Sequence, residues 1–286
     1  MSTLSARGFV AAENAGFRPL GQVQGTAVVS LGVQRKPSRW MRGSLAPTRI
    51  EFPAGYGATT TNVYYGRGSL EAQQYLNEGG WFELEERTAA YNDARTQALA
   101  RLREHAKAAG ALAVVDVRIR RGAFAHAMHT IEFTALGTAI GSDGFELDDN
   151  DSIPLVGVSG VDFWKLIESG TWPLGLVGGT SVVYIVAGYR TKFARFRGGS
   201  RSRRNQEYLD YTEGLRNARL RAAGRLRHDA TQLGAIGVIG VEVDRERREQ
   251  RDDNLVVRVD LLGTAVARLE EPAPQQIRYA LGLGAQ

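Results

Sequence analysis

The chain writes one passage twice, and that repetition constrains its fold more than any other feature. Asn92–Ala109 has the spacing of an amphipathic helix closed by Gly110, and Ala111–Ile119 and Thr130–Ile140 then read as two strands. The same succession returns as a helix over Gly214–Leu233, a stop at Gly234, and strands over Ala235–Val243 and Leu255–Ala267. Ala94, Ala98, Leu102 and Ala106 fall on Ala218, Ala222, Leu226 and Ala230 with a shift of 124 residues, and Gly137-Thr138-Ala139 falls on Gly263-Thr264-Ala265 with a shift of 126. A chain of 286 residues accommodates one or two domains, and the repeat decides for two.

Each copy also opens alike. Ser5–Ala15 reads as a short helix stopped by Gly16, and Pro19-Leu20-Gly21 turns into a strand over Val23–Val33. With a shift of 154, Ser159 and Asp162 form a capping-box pattern, Gly170 is the stop and Pro173-Leu174-Gly175 the turn. Gly25-Thr26 and Val28-Val29 recur as Gly179-Thr180 and Val182-Val183.

The difference between the shifts leaves the first copy about 30 residues longer, a surplus that falls within residues 36–87. That stretch holds Trp40, Tyr56, Tyr64, Tyr65 and Trp81, too many aromatics for a polar linker. A hydrophobic cluster covering the sheet is the favoured reading, with a surface for a protein partner as the sharper alternative. Ser69–Glu78 reads as a small helix inside it. The expected organisation is a first domain over residues 1–143, a second over 151–270 and a C-terminal tail over 271–286.

Within each copy the pattern explains the layers. Ala94, Ala98, Leu102 and Ala109 make one apolar stripe, small enough to let the helix approach the sheet closely, while Arg95, Arg101 and Arg103 point elsewhere. Val115, Val117 and Ile119 alternate with Asp116 and Arg118, as Ile131, Phe133 and Ala135 do with Glu132 and Thr134. One sheet face is therefore apolar and takes the helix, and the other is mixed. So small a unit needs a further layer or another subunit.

Composition excludes several chemistries. The absence of cysteine removes disulfides and thiolate metal sites. Met1–Phe17 lacks the apolar core of a signal peptide, and the longest apolar run, Trp172–Tyr189, suits a buried strand better than a membrane span. The expectation is a cytoplasmic protein. Its net charge of +5 is too small to demand a nucleic-acid partner.

The run Asn92-Asp93-Ala94-Arg95, Ala98 to Leu102, Ala109-Gly110-Ala111 and Val114-Val115, closed by Leu136-Gly137-Thr138-Ala139, resembles the YbjQ-like family, whose usual label is heavy-metal-binding. Ala15–Gly21 resembles that family's N-terminal segment. The resemblance implies an α+β chain of two tandem β-α-β-β, dodecin-like domains. Each would have an antiparallel three-stranded sheet, one long helix and a short N-terminal helix. It also implies rings of five units, which chains of two units meet either as a homopentamer of two stacked five-fold rings in which like copies meet, the favoured arrangement, or by a change to an even number of units. The chain departs from the pattern at the 36–87 insertion and at Asp116, where a glycine like Gly240 is usual.

Weighed residue by residue, no catalytic group or organic cofactor emerges, and the chain is read as no enzyme. A metal ion is the one cofactor the label invites. His126 and His129 are the only close histidines, at a spacing that sends them to opposite faces of a strand. His105 and His228 read as exposed helix residues. Asp116 and Glu132 could share a sheet face as a carboxylate pair, but Arg118 makes an ion pair the better reading. Arg195, Arg197, Arg201, Arg203 and Arg204 lie among Gly and Ser, a pattern for polyanion binding that a solvated loop explains more simply. The reading is a ring-forming scaffold or binding module. Its alternatives are a metal or small-ligand binder with sites between subunits, and a polyanion or nucleic-acid binder through the arginine loop.

Overall fold

The computed structural model describes residues 4–14, 16–31, 44–50, 61–67, 79–123, 130–142, 153–192, 207–249 and 253–268, with backbone alone for 44–50, 61–67, 123 and 248–249. In chain order the elements are α1 (Ala6–Asn14), β1 (Arg18–Ser30), β2 (Ser44–Ile50), β3 (Thr61–Arg67), β4 (Gly80–Glu83), α2 (Glu85–Ala108), β5 (Ala113–Ala123), β6 (Thr130–Gly141), α3 (Gly160–Glu168), β7 (Thr171–Val186), α4 (Leu209–Gln232), β8 (Gly237–Glu249) and β9 (Leu255–Arg268). The α+β class and the tandem organisation stand as expected.

The first copy is a sheet of order β1-β6-β5, antiparallel throughout, and the second repeats it as β7-β9-β8. β2 and β3, which carries Tyr64 and Tyr65, form a separate antiparallel pair inside the insertion. The long helices begin earlier than their stripes suggest, at Glu85 and Leu209. Their first turns are held by contacts with distant strands, which helical periodicity does not register. Ala94, Ala98, Leu102 and Ala106 are fully buried, whereas Ala109 is the exposed C-cap and leaves the stripe.

Small residues set the helix–sheet distance. A Cβ on Gly25 would collide with the Ala98 carbonyl oxygen, and one on Gly179 with that of Ala222. Glycine here lets the β1 and β7 backbones lie against α2 and α4 in the same way in both copies. Asp116 and Gly240 also match: both have positive φ, 53° and 58°, at a bulge that shifts the register of β5 and of β8. The position needs a left-handed backbone, which glycine adopts freely and aspartate more readily than most residues.

Two features depart from the expectation of independent three-stranded sheets. β4 belongs by sequence to the first copy, yet it pairs antiparallel with β7 and makes the second sheet four-stranded. Residues 153–158 run back along β5, with Val114 N–H donating to Pro154 and Val117 N–H to Val156. The mixed face of the second sheet is then covered by the first copy: Val182, Tyr184 and Val256 join the core built on α2. Unlike copies thus meet inside one chain. The alternation that looked half-solvated in the second sheet therefore faces a protein layer.

Candidate functional site

Where the copies meet, a cleft of ≈ 660 Å³ opens between β5, residues 157–162 and the second sheet. Its chemistry is charged on both sides. Arg95 of α2 reaches across to donate to the Gly178 carbonyl at 2.9 Å and to Thr180 Oγ1 at 3.4 Å, and lies 3.7 Å from Asp229. Burial lowers its pKa from the ordinary arginine value, with Asp229 and Asp260 opposing. Thr180 Oγ1 in turn donates to Asp260 at 2.6 Å.

Asp260 is the hub. It accepts from Arg121 of β5 and, at 2.7 Å, from Arg258 Nε. Arg121 also bonds Asp244 at 2.9 Å, and Arg258 bonds Glu246 at 2.9 Å while its guanidinium sits 4.9 Å over the Tyr91 ring. Burial works against the Arg258 charge, but Asp260 foremost outweighs it and raises the pKa above the ordinary value. Arg121 and Arg258 therefore neutralise carboxylates on both strands and weld the copies together.

A second cross-copy knot lies at β4. The Glu83 carboxylate is 4% exposed and accepts from Ser181 Oγ (2.7 Å), Arg225 (2.8 Å) and Arg221 (2.9 Å). Desolvation raises its pKa, but Arg225, Ser181 and Arg221 together pull it below the usual carboxylate value. Beside it, Val182 N–H donates to Thr88 Oγ1, and Asn92 bonds both the N–H and the carbonyl of Thr180.

The sequence candidates are distributed differently. Trp81 packs into the second copy's core with the Arg221 guanidinium 5.2 Å from its ring. Tyr64 and Tyr65 lie on β3, with side chains outside the described set, and Trp40 and Tyr56 lie outside the described residues. So do His126 and His129, and Arg195, Arg197, Arg201, Arg203 and Arg204. Asp116 is engaged by Arg118 at 3.2 Å and Glu132 by Thr134 Oγ1, so each has a neighbour of its own. His105 and His228 are exposed on their helices. The residues that sequence reasoning passed over are Glu83, Arg95, Arg121, Asp244, Arg258 and Asp260. Asp244, Arg258 and Asp260 lie on the polar half of their strands' alternation, whereas Arg121 continues the Val117 and Ile119 positions, Arg95 lies on α2 and Glu83 on β4.

Among the described residues no three His, Asp or Glu side chains gather as a metal site, and the chain has no cysteine. The charged cleft does not suit a soft metal, since arginines already occupy its carboxylates. No described helix is long and apolar enough to cross a membrane. The YbjQ-like family model, described as "Putative heavy-metal-binding", matches residues 76–142 and 174–268, more than half of the chain and once per copy. The chain belongs to this family. A curated relative of Mycobacterium tuberculosis, named an encapsulin nanocompartment protein, is 32% identical over 163 residues, which cover 56% of this chain and 60% of the relative. The chain thus spans about three-fifths of that relative's length. The tandem YbjQ-like organisation read from the repeat is the one the family match describes.

Proposed function

We propose that this YbjQ-like chain is a non-enzymatic subunit of a homo-oligomeric, ring-forming scaffold or binding module. The observation that carries the reading is the use of charge between the copies. Asp260, Asp244, Glu83 and their arginines bind each other, in a pattern that holds protein surfaces together. The name of the mycobacterial relative, a nanocompartment protein, supports an assembly role. A cytoplasmic location, a homopentamer and a protein partner for the aromatic insertion belong to the same proposal. The number of chains follows from the rotation at which the subunit contact closes.

A second reading, a small ligand held between copies, draws support from the ≈ 660 Å³ cleft alone. Native mass spectrometry at about 10 µM tests the first. Particles of several chains support it, and the 31.2 kDa mass of a single chain overturns it.

A further inference from the structure

The repeat lets the internal interface be compared with its own counterpart. The first copy offers α2 and β5 to the second copy's open sheet face. By the repeat, the second copy owns the same α4 and β8 surface, and the first copy owns the same sheet face. The first of these is exposed and the second half-exposed.

The contrast is large. Thr88 and Arg95 of α2 are 2% and 9% exposed, whereas their repeat positions Thr212 and Arg219 on α4 are exposed. Thr180 and Val182 of β7 are 2% and 3% exposed, whereas on β1 Thr26 is half-buried and Val28 is 42% exposed. Glu83 is buried, and its counterpart Glu207 is exposed. Beside Thr212 and Arg219 lies a groove of ≈ 540 Å³ floored by Leu215, Val243 and Val259, with Val243 56% exposed.

Three bonds of the internal interface have both partners repeated with the same residue type. Arg95–Thr180 becomes Arg219 and Thr26, and Thr88 with the Val182 N–H becomes Thr212 and Val28. Glu83–Arg225 becomes Glu207 and Arg101. In each repeated pair one member sits on the second copy's free surface and the other on the first copy's. Elsewhere Arg245 and Arg216 line the groove, and Glu132 stands on the opposing face. Other contacts are not repeated: Arg216 holds the position of Asn92, Arg121 with Asp260 and Asp244 becomes Arg245 with Thr134 and Arg120, and Ser181 and Arg221 beside Glu83 become Ala27 and Gln97.

We infer that the second copy's groove binds the β1–β6 face of the first copy in another molecule of this chain. Glu207, Thr212 and Arg219 then meet Arg101, Val28 and Thr26. This rests on the assembly role proposed above and names its contact. The contact is head-to-tail, so first and second copies alternate around the particle, and every junction between chains is of the same kind as the junction within one. A buried surface carrying repeated ionic and hydrogen-bonding pairs gives such a contact its register.

A charge exchange tests it by native mass spectrometry and sedimentation. Glu207→Arg and Arg101→Glu each lower the association constant at least about tenfold, and the double variant recovers to within about threefold. A second experiment uses blocked halves. Arg219→Glu closes the groove and Val28→Arg closes the sheet face, both at exposed or half-exposed positions outside the two cores. Each alone stops at one chain. Mixed, they give a two-chain particle, because one open groove and one open face remain. Circular dichroism confirms that each variant is folded. An assembled wild type with unchanged assembly in all four single variants overturns this contact and leaves the scaffold reading standing. A single-chain wild type overturns the scaffold reading and this contact with it. Losses without recovery in the double variant, and no two-chain particle on mixing, also overturn the contact.

Discussion

Glu83→Gln probes the bond between the copies most directly. Gln keeps the shape and removes the charge, so Arg225, Arg221 and Ser181 lose their common acceptor and an amide N–H₂ is turned toward guanidinium groups. Breaking a buried ion pair by removing one partner costs about 3–5 kcal/mol. Here Arg221 and Arg225 are 46% and 35% exposed and can regain water, which places the loss at the low end, about 3 kcal/mol. With a urea slope of about 2–3 kcal/mol per M, the midpoint falls by about 1 M. Urea titration followed by tryptophan fluorescence, at one fixed protein concentration, reads this directly. Trp81 neighbours Glu83 on β4 and reports the release of that strand. The pH dependence follows the direction of the shift. The folded carboxyl lies below its ordinary value of 4.5, so its contribution is complete above that value. It is lost as pH falls through the folded pKa, and the gap between wild type and variant then narrows. A midpoint shift below about 0.2 M at neutral pH would refute the argument that Glu83 clasps the copies.

Gly25→Ala and Gly179→Ala each drive a Cβ into a helix backbone and cost about 3 kcal/mol, measured as a fall in the urea midpoint; equal, small losses would mean the helices move away freely. Asp116→Gly relieves a left-handed backbone, its carboxylate being tied to exposed Arg118, and changes stability by less than about 1 kcal/mol, with a gain expected in thermal melts. Exhaustive treatment with a chelator leaves the melting temperature within about 1 °C, since the described residues supply no metal-ligand cluster. About one tightly held ion per chain by elemental analysis would contradict this and make His126 and His129 the first residues to replace.

Much of this fold was legible because the repeat supplied each signal twice. The alanine stripes of α2 and α4 and the alternation of β6 and β9 describe contacts within a copy, close in sequence and periodic, whereas the bulges at Asp116 and Gly240 break the alternation of β5 and β8 and send Val115 and Val117 into different clusters. β4 was not legible: four residues, Gly80 to Glu83, have no period, and their partner β7 lies about a hundred residues downstream. The site was hidden for a related reason. Arg95, Asp244 and Asp260 occupy the polar half of each pattern, where solvent and a second protein layer demand the same residue types, while Arg121 continues the Val117 and Ile119 positions of β5. Asp116 stood out against Gly240, but only the backbone angle shows that one bend explains both.

The exchange of β4 also sets an order of events for the nascent chain. Leu84 N–H is bonded to the Val182 carbonyl, and Glu83 is in register with Val183. When α2 leaves the ribosome, the strand that fixes its leading end has yet to be made. At about 5–20 residues per second that strand follows about 5–20 seconds later. For that interval the first half carries an unmatched edge and an open apolar helix face, so its final closure waits on synthesis of the second. Duplication has thus left two halves that mature together, and a chain cut between them would strand each without a piece it requires.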